Sequence, residues 1–569
     1  MPAAPAALLP ASRFSDITVD EPDLAALLEA YANLQTSCAR AATLADWLAL
    51  FSAWDALRRR FSTWSAFTEL RFRQDTRDAA YKAAVDRSNE LQPKVTGLDA
   101  EIKRAFLASA LRKDLERELG DYVFARWETD VTAYDPSIEA LVVREANLVD
   151  EYTALLAQAS FEFQSERLNL SALGKFGEHP DRGVRRAAAQ VKWDFYGQQR
   201  PRLDALYDRL VGVRHAMAQQ LGFATFVELG YRRLTRTDYG PADVERYRNE
   251  IVREIVPLAE RIHRAQAREL GIDEVMLWDE QIYDRAGSPK PPGDFARMLT
   301  AARNAFAAMH PELGSFAAFM TDGNMLDLQL RDGKAGGGFC TSFPTYGLPY
   351  VFANFNGSTH DVNVLLHEMG HAFQCYSSRA MPVSDYLWPT AEACEIHSMS
   401  MEFLAWPQLG HFFGSDAQGY RLQHLSSSIA FLPYGAAVDH FQHLVYERPD
   451  ATPAERHGFW KQVEALYLPW RRYGDIEHLR HGGYWQQQQH IYSLPFYYID
   501  YTLALGTALQ FWVRSLDDYG AALGAYTSLC KRGGEAPFQA LVRSAGLKSP
   551  FEPGVLHAVA ERAGQVLGL

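Results

Sequence analysis

His367 and His371 lie four residues apart, and Glu368 directly follows the first, in the stretch 361–376, DVNVLLHEMGHAFQCY. On a helix that spacing brings both imidazoles out of one face, one turn apart. Two neutral imidazoles so placed can hold one tetrahedral Zn²⁺. Glu368 then points beside the metal rather than at it, where its carboxylate can take a proton from water. A catalytic zinc needs a further protein ligand. A third histidine six residues on is absent, because position 377 is Ser. The ligand must then be a carboxylate from a nearby helix, and residues 390–403, TAEACEIHSMSMEF, offer Glu392, Glu395 and Glu402. Glu395 and Glu402 are seven apart, two turns along one face, so one can bind the metal while the other supports it from behind. Ala393, Cys394, Ile396, Met399, Met401 and Phe403 around them favour burial, and a buried carboxylate needs a partner.

A second cluster sits in 481–506, HGGYWQQQQHIYSLPFYYIDYTLALG, where His490, Tyr492, Tyr497, Tyr498 and Tyr501 crowd together. Amide hydrolysis passes through a tetrahedral oxyanion, to which imidazole and phenol groups are suitable donors. Tyr498 and Tyr501 are three apart and can share one helix face. An aromatic core stripe is the alternative reading.

The histidine stretch is amphipathic, with Val362, Leu365, Leu366, Met369 and Phe373 on one face and Ser358 or Thr359 as the expected cap after Gly357. Strand signals concentrate just before it. MLDLQL (325–330) alternates, placing Leu326, Leu328 and Leu330 on one side. KAGGGFCTSF (334–343) carries three glycines in a row, and PYVFANFNG (349–357) is a Tyr/Val/Phe-rich strand whose free edge is expected to pair with an extended peptide. Gly337 and Gly338 would let backbone approach a substrate closely, with Phe339, Phe352, Ala353 and Asn354 alongside; a hairpin turn is the plain alternative. No G-K-[ST] follows the glycines, so they are not a phosphate loop.

Elsewhere the pattern is mainly helical. Residues 1–167 read as an N-terminal antiparallel helical lobe, helical by pattern from about residue 21 with few breaks before Gln92-Pro93, and 168–569 as the catalytic region. Residues 168–175 read as a connector. Pro201 is expected to divide 181–222 into two helices, with Arg182, Arg185 and Arg186 on a solvated face. The Pro-rich stretch 288–294, SPKPPGD, reads as a hinge or rim segment.

With 569 residues, 47% of them hydrophobic, the chain can build large cores, and a net charge of −13 argues against nucleic acid as a partner. The N-terminus lacks the pattern of a signal peptide, and no apolar run is long enough to span a membrane. Five scattered cysteines without a C-x-x-C suit a reducing compartment, so a cytoplasmic location is expected.

The segments GGFCTSFPTYGLPYVFANFNG, HEMGHAFQ, EIHSMSME and HIYSLPFYYIDY resemble the oligoendopeptidase F / thimet oligopeptidase family of zinc peptidases, and within it the Pz-peptidase branch. Glu395, Ser398 and Glu402 match the family's E-x-x-S-x-x-x-E pattern. The resemblance runs from about residue 168 to the C-terminus. It implies one Zn²⁺ per chain held by His367, His371 and Glu395, with Glu368 as general base and acid and Glu402 behind the ligands. His490, Tyr498 and Tyr501 would lie over the scissile carbonyl, with Tyr497 nearby. The implied fold is two mostly helical lobes around a deep channel, with a small sheet next to the zinc helix. The implied substrates are unfolded oligopeptides, including collagen-like Gly-Pro peptides; neither nucleic acid nor membrane is an implied partner, and an oligomer is compatible with all of this. One departure is Gln374, where much of the family has a further histidine. The function expected is therefore a zinc endopeptidase. Beside it stand a zinc exopeptidase of dipeptidyl-carboxypeptidase type and a non-catalytic peptide-binding protein with a structural zinc. A structural site would have four protein ligands and no need of Glu368.

Overall fold

The structure, a computed structural model, describes residues 8–291 and 295–569. Among these the chain is mainly helical, with one three-stranded sheet and one two-stranded hairpin. It divides into two compact units, each assembled from separated stretches. The first draws on Met1–Thr132, Lys290–Ala417 and Ala508–Leu547, and the second on Ala133–Pro289, Gln418–Thr507 and Lys548–Leu569. The expected hinge at 288–294 falls partly outside the described residues. None of the described helices is long and apolar enough to cross a membrane.

In the first unit the period-3.6 stripes of Leu24–Arg40, Leu44–Gln74 and Ala79–Leu107 bury Tyr31, Trp54 and Phe106 in one aromatic core. The Trp54 ring centroid lies 5.9 Å from Phe106 and 5.4 Å from Trp127. Burying an indole and a phenol strands two polar hydrogens, and Asp99 Oδ1 accepts both, from Trp54 Nε1 at 2.6 Å and Tyr31 Oη at 2.7 Å. Pro93 does not end its helix, because Leu91 and Val95 on either side are fully packed and hold the turn closed despite the missing donor.

The sheet of this unit contains β1 (Leu326–Gln329), β2 (Phe339–Phe343) and β3 (Leu348–Phe355) in the order β1-β3-β2. β3 is central, parallel to β1 and antiparallel to β2. This corrects the expectation of a free edge on 349–357, since both sides of that strand are paired. The outer edge belongs to β2. Val351 N–H bonds Met325 O on the β1 side at 3.0 Å, so Pro349, two residues earlier, also turns toward that side. Ser342 and Cys340, opposite Pro349 and Val351, therefore direct their own N–H and C=O groups away from β3. No backbone hydrogen bond from another described segment meets them there.

Leu330 also departs from expectation: β1 stops at Gln329 and Leu330 is 62% exposed. The register slips between Asp327 and Gln329, which ends the alternation. Lys334 occupies the slip. Its ammonium donates to Asp327 O, Gln329 O and Ala353 O at 2.9, 3.0 and 2.5 Å, and pairs with Asp327 Oδ1 at 2.9 Å.

In the second unit, residues expected to be a connector begin instead with the end of a hairpin, Phe161–Phe163 paired with Glu166–Leu168, followed by a short helix from Leu170. Arg182–Gln220 is one helix of 39 residues that runs through Pro201. Trp193 and Tyr196 before the proline and Leu203, Leu206 and Tyr207 after it are all buried, and that packing outweighs the lost backbone bond. The arginine run is a solvated face only in part, at Arg182 and Arg186. Arg185 is buried, and Arg185 and Arg182 both bond the buried Asp279 carboxylate, at 2.8 and 2.7 Å. Arg182 stays 43% exposed while it reaches Asp279, and Arg186 points outward to exposed Asp475.

Asp279→Ala is expected to leave the buried Arg185 guanidinium unpaired and to destabilise the fold by about 3–5 kcal/mol, read by denaturant unfolding. Arg186→Ala, removing an exposed pair and a guanidinium contact with the Trp278 ring at 5.5 Å, should shift the transition by no more than about 1 kcal/mol.

Candidate active site

The histidine-bearing helix spans Thr359–Ser378. Val362, Leu365, Leu366, Met369 and Phe373 form its buried face, as the periodicity requires. Its start is held differently from expectation. Ser358 occupies the cap position but its side chain makes no capping bond. Asp361 Oδ2 instead accepts from Asn356 N at 2.8 Å and Gly357 N at 2.6 Å, tying the end of β3 to the first helical turn. Gly357 makes the turn at φ +86°, a conformation that other residues rarely adopt.

Glu395 and Glu402 lie on Ala391–Leu404, which packs directly against the histidine helix. Gly370 is what allows the approach. A Cβ there would stand 2.6 Å from His397 O and 2.7 Å from Ser398 Cα, both backbone atoms. Behind this helix, Tyr526 Oη donates to His397 O at 2.9 Å, and burial drives the His397 imidazole down to about 3, so it stays neutral.

Between the two helices, His367 Nε2 and His371 Nε2 reach the same oxygen, Glu395 Oε2, at 3.2 and 3.4 Å. One donor atom from each residue falls within a 4.8 Å group. Bonds of ~2.0–2.2 Å at tetrahedral angles place ligand atoms ~3.3 Å apart, so the set fits one ion of zinc type. Ser398 Oγ donates to the same Glu395 oxygen at 2.9 Å. His367 Nδ1 lies 2.7 Å from Glu402 Oε1, which holds the proton on Nδ1 and leaves Nε2 a lone pair. The electrostatics agree. Burial opposes charge on His367, yet the bonds to Glu395 and Glu402 hold its pKa well above the usual imidazole range. Burial likewise opposes the Glu395 charge, but His371 and His367 hold that pKa well below the carboxylate range. The pocket calls for positive charge, which a divalent cation supplies.

Glu368 is buried, and its Oε2 has no hydrogen-bond partner among the described residues. Burial raises its pKa, with the neighbouring histidines opposing. Gly338 stands beside it: a Cβ at that position would be 3.7 Å from Glu368 Oε1. Gly337 turns the preceding loop at φ +97°. Asn354 ties down that loop, donating to Ala335 O at 2.8 Å and Gly337 O at 2.9 Å. Phe339 stacks on Phe352 at 4.9 Å, while Phe352 and Ala353 are fully buried in the central strand. Gln374 is buried and donates to Ser378 Oγ and Leu387 O, which makes it an anchor for the loop after the helix.

His490, Tyr497, Tyr498 and Tyr501 gather in the second unit. Tyr498 and Tyr501 open the helix Tyr498–Asp517. The imidazole stacks on Tyr497 with centroids 5.8 Å apart, and meets Tyr498 and Tyr501 at 5.1 and 5.8 Å. Tyr492 stands apart, fully buried and stacked on Tyr152 at 3.9 Å, so it belongs to the core. Phe496 turns the chain just before Tyr497 with φ +66°, strained for a bulky residue. Gln442 Oε1 accepts its N–H at 3.0 Å and Arg236 Nη2 donates to its carbonyl at 2.6 Å, which overdetermines the turn. Sequence reasoning missed Gly370, Lys334 and Phe496. Only Gly370, inside the H-E-x-G-H run, carried a local signal.

The Peptidase M3 N-terminal domain model matches residues 14–134, and the Peptidase family M3 model matches 176–290 and 315–561. Oligopeptidase PepF of Bacillus subtilis (strain 168) is 21% identical over 436 residues; the match covers 69% of this chain and 61%, less than two thirds, of that relative. A solved structure described as Pz peptidase A with an inhibitor is 40% identical, with a TM-score of 0.93 over 98% of this chain and 99% of that one. A putative oligoendopeptidase F is 43% identical, with the same TM-score and coverage. Another, from Bacillus anthracis str. Ames, is 38% identical with a TM-score of 0.88 over 98% of both chains.

Gly370→Ala is expected to lower stability by about 1–3 kcal/mol through overpacking, in spite of alanine's better helix propensity, and to weaken the hold of His367, His371 and Glu395 on an added divalent ion as the helices part. Denaturant unfolding and a chelator-competition titration would read the two effects. A variant as stable as the parent would show that the contact has room to spare.

Proposed function

The chain belongs to peptidase family M3, and from that premise we propose that it is a zinc-dependent endopeptidase of unfolded oligopeptides. The observation that carries this reading is the meeting of His367, His371 and Glu395 around one small space, with Glu368 buried alongside. His367, His371 and Glu395 would hold the metal, and Glu402 would keep His367 in the ligating tautomer. Bound zinc supplies a Lewis acid that polarises the scissile carbonyl and acidifies water. Glu368 takes the proton of the attacking water and passes it to the leaving amine. Burial suits it to the first step, since a carboxylate with a raised pKa is a stronger base toward the water proton.

The outer edge of β2 offers Cys340 and Ser342 backbone groups to an extended peptide, and Gly338 leaves room beside Glu368. Pairing of that kind reads backbone and tolerates many side chains. His490, Tyr498 and Tyr501 donate to the carbonyl oxygen as charge develops on it, with Tyr497 orienting the imidazole. The chemistry lies within residues 168–569. Collagen-like Gly-Pro peptides are the substrate class suggested by the likeness to the Pz-peptidase branch. All five cysteines are free thiols, which supports a cytoplasmic location.

An end-blocked, internally quenched oligopeptide tests the reading. The wild type should cut it internally, lose activity to a chelator and regain it with Zn²⁺. Glu368→Gln should keep one bound zinc and lose roughly 10²–10⁴-fold in kcat. Cleavage restricted to peptides with free ends would put an exopeptidase in its place, and an active Glu368→Gln would remove the base assignment. Glu402→Ala should weaken zinc by about 10–100-fold, measured by chelator competition.

A further inference from the structure

His490 lies on the short helix Gln489–Ser493, and its Nδ1 is 2.8 Å from Gln488 Nε2. The other end of that amide is also engaged: Gln488 Oε1 accepts from Tyr434 Oη at 2.7 Å. Tyr434 stands in a crowd. Tyr498 and Tyr484 meet its ring edge-on at 5.7 and 5.8 Å, and the Arg471 guanidinium lies 5.5 Å above it, paired to Glu280 at 2.9 Å. Desolvation holds the Tyr434 phenol well above its ordinary pKa, so it keeps its proton and donates.

A donor at Oε1 orients the amide with its NH₂ toward the histidine, and an NH₂ can only donate. Nδ1 of a neutral His490 must therefore accept, which places the ring proton on Nε2. The same chain does the opposite at His367, where the Glu402 carboxylate behind Nδ1 takes the proton bond and leaves Nε2 a lone pair. An amide behind one histidine and a carboxylate behind the other prepare two imidazoles for opposite jobs.

We infer that Gln488 and Tyr434 are positioning residues that lock His490 as the neutral Nε2–H tautomer, the form that donates to a substrate carbonyl oxygen. The inference rests on the proposed peptidase chemistry for its purpose, but the tautomer itself is a property of the folded chain. Among the groups facing His490 are Tyr497, Tyr498 and Tyr501, with Tyr434, Tyr484, Arg471 and Glu280 behind Gln488.

Gln488→Glu tests it, because a carboxylate reverses the demand on Nδ1. Its neutral imidazole would carry the proton on Nδ1 and present a lone pair at Nε2; only the imidazolium could still donate from Nε2. On the zinc-loaded enzyme, the ratio of variant to wild-type kcat should fall at least ~10-fold at pH 8, with little change in KM, and recover as pH drops through the histidine titration. Tyr434→Phe frees the amide to turn and should lower kcat by a smaller factor. ¹⁵N spectra of histidine-labelled holoenzyme, with His490 assigned by its loss in His490→Ala, should show an unprotonated Nδ1 in the wild type at neutral pH and a protonated one in Gln488→Glu. A protonated Nδ1 in the wild type, or a kcat ratio flat with pH, overturns the inference. Failure of the wild type to cleave any peptide would instead remove the proposed function, and the spectra would still decide the tautomer without reference to activity.

Discussion

The candidate site depends on how closely two helices can approach. His367 and His371 on one and Glu395 on the other can share an ion, with Glu402 behind His367, only if the two backbones come near enough for short side chains to meet. Gly370 permits this by presenting no side chain to His397 O and Ser398 Cα. The rest of the first unit can be read as support for that contact. Tyr526 grips the carbonyl of His397 from behind, Gln374 anchors the loop after the histidine helix to Leu387, and Asp361 ties the start of that helix to the end of the central strand.

Charge is organised on the same principle, by what stands behind each group. Two carboxylates around His367 and His371 make a pocket that favours positive charge, while Glu368, one residue along the helix, is buried with no hydrogen-bond partner for Oε2 among the described residues. A buried carboxylate costs stability unless something compensates it, and here the neighbouring His367 and His371 oppose that cost. Arg185 on the long second-unit helix follows the same rule at a purely structural place, where Asp279 makes its burial tolerable.

Backbone irregularities place the other groups. The register slip in β1, filled by the Lys334 ammonium, ends the strand early and starts the glycine loop that passes Glu368. Phe496, held at positive φ by Gln442 and Arg236, sets the direction in which Tyr497 and Tyr498 leave the turn. Each irregularity is stabilised by long polar side chains, one at the slip and two at Phe496, that bond backbone groups left without a ladder or helical partner.

The sequence by itself determined the helical character of the chain, the one-faced burial of the histidine helix and the types and spacings of His367, Glu368, His371, Glu395 and Glu402. These follow from periodicities of 3.6 and 4 that act within a few residues. Tertiary structure alone decided that the strand at 348–355 is central rather than an edge, that Pro93 and Pro201 are accommodated within helices, and that Arg182 and Arg185 face a buried aspartate. It also decided that Gln488 and Tyr434 stand behind His490. Strand order, the packing that holds a proline inside a helix and the partner of a buried charge all depend on residues distant in the chain. Their free energies arise only when those residues are brought together, so no local pattern records them.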